Sequence, residues 1–155
     1  MTPDLRRELQ QRKPFTSVQQ EAQLSVIRTG SLLTDAFERI LRPYGITAAQ
    51  FNVLRILRGA EPEGLCRNEL RCRLLTRMPD VTRLLDRMEE AGLVGRIREG
   101  EDRRKVRTKI TAKARKLVDK LDTVVAEEHQ RRFGHLGKDR LKDLIETLTE
   151  VRERL

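Results

Sequence analysis

The sequence predicts a mainly α-helical fold with a small β-hairpin wing: a winged helix-turn-helix within a helical homodimer. Three observations support this fold class. Residues 79–91 repeat their apolar side chains with a helical period, and residues 94–98 and 106–110 then alternate as strands do. The net charge of +9 is concentrated on this helix and hairpin and on the N-terminal tail. The remaining sequence reads as long, highly charged helices that need a partner to cover their apolar sides.

The helix at residues 79–91 is the best-defined element. Its apolar stripe, with a 3.6-residue period, consists of Val81, Leu84, Leu85 and Met88. Pro79 is predicted at the first helical position, where a missing N–H costs nothing. Gly92 is predicted just past the end, where the backbone becomes left-handed. Both boundaries are therefore signalled locally.

The hairpin that follows is predicted from two short alternating segments, residues 94–98 and 106–110. They flank the charged and turn-prone residues 99–105. A pair of strands this small is not stable alone in water, so it must pack against the preceding helix. The sequence therefore predicts a helix followed by a wing with a cationic tip.

Positive charge is distributed unevenly along the chain. Residues 65–115 contain 15 Lys and Arg against 8 Asp and Glu, and residues 1–16 contain 4 against 2. The charges balance elsewhere, at 5 against 5 in residues 17–64 and 9 against 9 in residues 116–155. Such a local excess is typical of a surface that binds nucleic-acid phosphates. The alternative is a basic surface that serves only solubility.

Three further helices are predicted before the wing. Residues 17–41 form a long helix ended by Pro43 and Gly45, and a capping box of Thr47 and Gln50 begins a largely apolar helix that runs to Arg58. A short helix at residues 67–74 is joined by residues 75–78 to the helix at residue 79, and this pair is a helix-turn-helix. In such a motif the second helix enters the major groove of DNA.

The last two helices are predicted at residues 112–133, capped by Thr111, and at residues 138–154. Their apolar stripes exceed what so small a core can cover, so the first and last helices are predicted to form a dimerisation module. The predicted organisation is a flexible arm at residues 1–16 and one domain at residues 17–155. Within that domain, residues 17–46 and 112–155 are dimerisation helices, and residues 47–111 are the winged helix-turn-helix.

Other classes of protein are disfavoured. The chain has no long apolar run and its N-terminus is polar, which predicts a cytoplasmic protein without a membrane partner. Cys66 and Cys72 have no further ligand nearby, so neither a disulfide framework nor a zinc site is predicted. His129 and His135 stand apart in the sequence, and no set of nucleophile, base and orienting residue can be assembled. The sequence predicts no enzyme, no cofactor and no metal site.

Several motifs resemble those of the MarR family of transcriptional regulators: TAAQFNVL at 47–54, PDVTRLLDRMEEAGLV at 79–94, DRR at 102–104 and IT at 110–111. The resemblance covers residues 17–155. It implies a winged helix-turn-helix in a homodimer that binds an operator until a small molecule or an oxidant releases it. It also makes residues 79–92 the recognition helix and Arg104 the wing residue that enters the minor groove, where narrow A/T-rich sequence attracts guanidinium groups.

The candidate DNA contacts fall into two groups. The candidates for the major groove are Arg77, Pro79, Asp80, Thr82, Arg83 and Arg87. The candidates on the wing, for the minor groove or for phosphates, are Arg96, Arg98, Asp102, Arg103, Arg104, Lys105 and Arg107. Arg donates two hydrogen bonds to guanine, and Thr bonds a base or touches a thymine methyl. For Arg83, a phosphate contact or an ion pair with Asp80 or Asp86 is an equal alternative.

Two positions depart from the family pattern, since Cys66 and Gly137 stand where many relatives have a Ser or Thr that caps a helix. Cys66 is adjacent to Arg67 at a helix start, which favours a thiolate, whereas Glu69 opposes it. Two interpretations stay open: a redox-active thiol, and a small capping residue without reactivity. The N-terminal cysteine of the oxidant-sensing branch is absent from this sequence.

The sequence therefore predicts a sequence-specific DNA-binding regulator, more specifically a repressor. Its expected partners are double-stranded DNA, a second copy of the chain and a small-molecule effector. Two alternatives stay open, a protein-interaction module whose basic wing meets an acidic partner, and an architectural protein that binds DNA without sequence choice. The salt dependence of binding to random DNA, and the ratio of specific to non-specific affinity, discriminate among them.

Overall fold

The fold, seen in a computed structural model, is mainly helical with one small antiparallel sheet. The structure describes residues 4–98 and 106–155, and these form two compact units, one ending at Ala48 and the other beginning at Ala49. The helices are α1 (Leu5–Glu8), α2 (Val18–Leu41), α3 (Ala48–Arg58), α4 (Arg67–Arg73), α5 (Val81–Glu90), α6 (Ala112–Phe133) and α7 (Lys138–Arg152). The strands are β1 (Leu65–Cys66), β2 (Val94–Arg98) and β3 (Val106–Ile110).

The first unit is built on α2, whose predicted extent is confirmed. Ser17 caps it by accepting a hydrogen bond from the backbone N–H of Gln20 at 3.1 Å. A 3-10 turn at Arg42–Tyr44 follows, and Gly45 ends it with a φ of 72°, as its sequence position predicts. Helix α1 lies within the segment that the sequence analysis assigns to a flexible arm, and the mobility of that arm stays a prediction.

The second unit has a core of aliphatic side chains from its helices and its sheet. Phe51, Leu54 and Leu57 of α3 are buried, which agrees with its apolar sequence. Helix α6 continues the core with a buried stripe of Ala114, Val118, Leu121, Val125 and Glu128. Four of these five residues are apolar and contribute hydrophobic burial, and the fifth, Glu128, forms ion pairs with Arg131 and Arg132.

The sheet has the strand order β1-β3-β2. The predicted hairpin is confirmed, since Val94 pairs with Ile110 and Arg98 with Val106. The third strand, β1, was not predicted, because two residues are too few to show alternation. Gly64 precedes it with a φ of 72°, and a Cβ there would lie 2.5 Å from the carbonyl oxygen of Thr108. Only glycine allows the chain to pass this close to β3.

The predicted position of Pro79 is wrong, and the helix begins two residues later. Asp80 is the N-cap of α5, and its carboxylate accepts a hydrogen bond from the backbone N–H of Arg83 at 2.9 Å. The cap residue itself is non-helical, so Pro79 lies outside the helix. The predicted end is confirmed, because Gly92 has a φ of 71°.

The observed bounds of the last two helices agree with the predicted ones to within two residues. Helix α6 has the predicted bounds, and α7 ends at Arg152 rather than at residue 154. Thr111 caps α6 as predicted, whereas Gly137 offers no side-chain cap to α7. Helix α7 has no buried residue, and Ile145 and Val151 are exposed. In the parts of the chain that the structure describes, no helix has the length and hydropathy needed to cross a membrane.

Candidate nucleic-acid interface

Helix α5 separates its apolar and polar residues onto opposite sides. Its buried side consists of Val81, Leu84, Leu85 and Met88. The candidates for the major groove on this helix, Thr82, Arg83 and Arg87, are all exposed. Because side chains three and four positions apart share a helix face, burial of the apolar stripe directs these polar residues to solvent together.

The connection before α5 is longer than predicted, since α4 ends at Arg73 and α5 begins at Val81. Its start is fixed by α3: the Asn52 side-chain oxygen accepts a hydrogen bond from the backbone N–H of Leu75 at 2.9 Å. Arg77 and Pro79 are exposed in this connection. Sequence reasoning missed Asn52, although a polar residue between the buried Phe51 and Val53 was a usable signal.

Arg83 has no ion pair within the residues that the structure describes. Asp80 accepts from its backbone N–H rather than from its guanidinium, and Asp86 instead pairs with Arg96 at 2.5 Å. The guanidinium groups of Arg77, Arg87 and Arg98 likewise have no ion pair among the described residues. Among the described residues, no carboxylate competes with an external anion for these four cations.

Two of the candidate wing residues are engaged inside the protein. Arg96 on β2 pairs with Asp86 and, at 3.6 Å, with Glu89, both of α5. Arg107 on β3 donates a hydrogen bond to the carbonyl oxygen of Gly64 at 3.2 Å and lies 3.6 Å from the carboxylate of Glu69 on α4. These ion pairs connect the wing to both helices of the helix-turn-helix. The predicted contacts Asp102, Arg103, Arg104 and Lys105 lie outside the described residues.

Cys66 is half-buried at the N-cap of α4. The Glu69 carboxylate accepts a hydrogen bond from the Cys66 backbone N–H at 2.8 Å. This bond, together with a second one from the Cys66 thiol and the charges of Arg107 and Arg73, holds the pKa of Glu69 below its ordinary value. Glu69 therefore stays ionised and accepts from the N–H of the N-cap residue itself, as the acidic residue of a capping box does.

A cavity of about 480 Å³ lies between the helix-turn-helix and the wing. It is lined by Cys66, Arg67, Asn68, Thr82, Leu85, Arg96 and Val106. Across it, the guanidinium of Arg67 donates a hydrogen bond to the hydroxyl oxygen of Thr82 at 3.3 Å. Sequence reasoning missed Arg67, because nothing in its local sequence indicates a contact with a residue fifteen positions later.

Ion pairs between α3 and α6 connect these two helices. The Arg58 guanidinium donates hydrogen bonds to Asp119 at 2.7 Å and to both carboxylate oxygens of Asp122 at 2.9 Å. The hydrogen bonds with Asp122 are the main reason why the pKa of Arg58 is raised and that of Asp122 is lowered. Within the described residues, no group of three or more His, Cys, Asp or Glu is arranged to hold a metal ion.

Comparisons with known proteins agree with one another. The model of the MarR family matches residues 46–106. The HTH-type transcriptional regulator FarR of Neisseria gonorrhoeae is 30% identical over 145 residues, 92% of this chain and 98% of that protein. The crystal structure of a MarR transcription factor from Planctomyces limnophilus is 38% identical, covers 88% of this chain and 98% of its own, and has a TM-score of 0.67. The transcriptional repressor CouR bound to a 23-mer DNA duplex is 28% identical, with 83% and 89% coverage and a TM-score of 0.72.

Proposed function

The chain belongs to the MarR family of transcriptional regulators, and on that premise we propose that it represses transcription by binding a pseudo-palindromic operator as a homodimer. Members of this family regulate transcription and are not enzymes, in agreement with the sequence prediction. In the proposal a small molecule or an oxidant releases the DNA. Because its target is chromosomal DNA, the proposed location of the protein is the cytoplasm.

The observation that carries this proposal is the exposed face of α5. Thr82, Arg83 and Arg87 lie on it, and the two guanidinium groups have no ion pair within the described part of the chain. An unpaired guanidinium is well suited to bidentate hydrogen bonding with guanine and to phosphates. Helix α5 thus has the residue types and the exposure that a recognition helix needs. Thr82, Arg83 and Arg77 are the proposed base contacts, and Arg87 and Arg98 the proposed phosphate contacts.

Pro79 lies before the N-cap of α5, and Asp80, Arg96 and Arg107 have structural roles in the proposal. Asp80 caps α5, and its carboxylate would repel a phosphate, so it positions the helix rather than binding DNA. Arg96 and Arg107 hold the wing against α5 and α4 through their ion pairs. The tip residues Asp102, Arg103, Arg104 and Lys105 keep the contacts that the family resemblance implies, with Arg104 in the minor groove.

The proposed homodimer rests on apolar surface left exposed in each unit. In α2, Val18 is 79% exposed and Ile27 is 59% exposed, and in α7 Ile145 is 63% exposed. In the proposal, these exposed apolar side chains are part of the surface that the second copy covers. Two copies related by a twofold axis would bury the same patch on each subunit and would present two α5 helices to successive major grooves, about 10–10.5 bp apart.

The proposed small-molecule site is the cavity lined by Arg67, Thr82 and Arg96. A ligand that contacts Arg67 and Arg96 there must be anionic or rich in acceptors, since both side chains only donate hydrogen bonds. Such a ligand would compete for the Thr82 hydroxyl with Arg67 and with DNA. The expected result is lower operator affinity in the presence of an aromatic or aliphatic carboxylate that fits about 480 Å³.

The test begins with selection of bound sites from random duplex DNA. The proposal predicts a site with two related halves, bound by a dimer in sedimentation at micromolar concentration. It also predicts a steep fall of affinity with salt and a specific-to-random affinity ratio of at least about 10³. A ratio near one would favour an architectural protein instead. Absence of salt-dependent DNA binding would favour the protein-interaction module.

A further inference from the structure

The C-terminal end of α5 is attached to the first turn of α6 by hydrogen bonds. The chain leaves α5 in a Schellman turn, in which the backbone N–H of Gly92 donates to the carbonyl of Glu89 and that of Leu93 donates to Met88, both at 2.9 Å. The carbonyl oxygens of residues 91, 92 and 93 lie in and just after this turn. Each of them accepts a hydrogen bond from a residue at the start of α6.

Thr111 provides most of this attachment. Its hydroxyl donates to the carbonyl of Gly92 at 2.8 Å, with Leu93 at 3.2 Å as a weaker second acceptor. Its backbone N–H also donates to Leu93, at 3.2 Å. The same hydroxyl oxygen accepts from the backbone N–H of Ala114 and so caps α6. One side chain therefore begins α6 and holds the end of α5.

Lys113 adds a second side-chain bond at the same place. Its ammonium donates to the carbonyl of Ala91 at 3.2 Å. A cation at this position also lies at the negative end of the α5 dipole. The contact is exposed to solvent, so it contributes less than the half-buried bonds of Thr111.

We propose that Thr111 is a positioning residue for operator binding, because the proton of its hydroxyl fixes the direction in which α5 presents Thr82 and Arg83. A ten-residue helix is about 15 Å long, so a tilt of about 10° at its C-terminal end moves its first turn by about 2.6 Å. Hydrogen bonds to base edges tolerate only a few tenths of an ångström. This inference rests on the proposed function of α5 and adds a residue that does not touch DNA.

Two substitutions separate the two bonds of the Thr111 hydroxyl. Thr111→Ser keeps the donor and the acceptor. Thr111→Asp keeps the acceptor, and aspartate is a preferred N-cap, but it has no proton for the carbonyl of Gly92. Ala112→Asp is the matched control for charge, because it adds the same charge to the exposed neighbouring position without touching the bonds of Thr111.

The readouts are affinity for the selected operator, affinity for random duplex and the thermal midpoint of unfolding. We expect Thr111→Ser to bind the operator within about twofold of the wild type, and Thr111→Asp to lose about tenfold or more relative to Ala112→Asp. Random-duplex affinity should be equal in Thr111→Asp and Ala112→Asp, since no phosphate contact changes. A merely structural role would move the thermal midpoint without this selective loss, and equal operator affinity in these two variants would overturn the inference.

A second variant covers the case in which Thr111→Asp does not fold. Lys113→Met removes the bond to Ala91 but leaves the cap of α6 intact, and Lys116→Met removes an equal charge from an exposed position of the same helix. We expect operator affinity to fall about twofold to threefold more for Lys113→Met than for Lys116→Met. Equal losses would contradict the proposed role of this attachment in operator binding. If the wild type binds operator and random duplex with nearly equal affinity, the proposed function itself is contradicted. If the wild type prefers the operator strongly but each variant binds it as tightly as its matched control does, only this inference is contradicted.

Discussion

Replacement of Arg83 by methionine tests the proposed recognition helix directly. Arg83 is exposed in the first turn of α5, and its side chain forms no ion pair or hydrogen bond with the residues that the structure describes. The free energy of unfolding should therefore change by less than about 0.5 kcal/mol. A lost bidentate base contact costs about 1–3 kcal/mol of operator binding in each subunit. The expected loss is thus confined to DNA binding.

The assay is a titration of labelled operator and random duplex at four salt concentrations. If Arg83 contacts a base, operator affinity falls about thirtyfold or more, because both subunits lose a contact, and base preference is lost at one position of each half-site. If it contacts a phosphate, both DNAs lose affinity alike and the salt slope drops by about 0.9 per contact. Arg140→Met on α7 is the matched control, since it removes an equal charge from an exposed position. Operator affinity equal to that of the control would refute the placement of α5 in the groove.

Four further predictions concern other parts of the chain. Arg104→Ala should weaken operator binding by about 1–3 kcal/mol, more on sites with A/T-rich flanks, and unchanged titrations at fixed salt would contradict the minor-groove role. Gly64→Ala should lower the free energy of unfolding by about 1–3 kcal/mol, measured by denaturant titration, because its φ is 72° and a Cβ would meet Thr108. Folding lowers the pKa of Asp122, so the contribution of this carboxylate to the free energy of unfolding is complete above the unfolded pKa of about 3.9. That contribution disappears as the pH falls through the lower folded value. Asp122→Asn should then cost less than about 1 kcal/mol at pH 7, because the pair is partly exposed, and progressively less as the pH falls below about 3.9. Peroxide should leave operator affinity unchanged in both the wild type and Cys66→Ser, because the thiol is half-buried and hydrogen-bonded to Glu69. A loss of operator affinity confined to the wild type would establish the redox interpretation instead.

The fold was predictable to the extent that its determinants are local in sequence. The period of α5, the alternation of β2 and β3 and the Thr111 cap each depend on residues within a few positions of one another. The start of α5 was misjudged because two local signals compete there: Pro79 suits a first helical position and Asp80 suits a cap. Once Asp80 serves as the cap, proline must precede the helix.

The interface was less predictable, since its organisation depends on contacts between residues distant in sequence. Strand β1 exists because Leu65 pairs with Thr108, forty-three positions away, and two residues alone carry no period. Asn52 fixes the connection before α5 across twenty-three positions. Such contacts follow from the packing of α3, α4 and the sheet, which a single sequence does not specify.

The arginines of the helix-turn-helix and wing show this limit of prediction from sequence, and their pairing also affects DNA binding. Residues 65–115 have an excess of seven positive charges, and a count from the sequence treats all of these cations as equally able to bind phosphate. In the structure Arg96, Arg107 and Arg115 are paired with acidic residues of α5, of α4 and of the turn after α3. A paired arginine brings its carboxylate with it, so it neutralises little phosphate charge and releases few counterions. The salt slope of binding should therefore follow the number of arginines, such as Arg77, Arg83 and Arg87, that have no ion pair with a described residue, rather than the total positive charge of the segment.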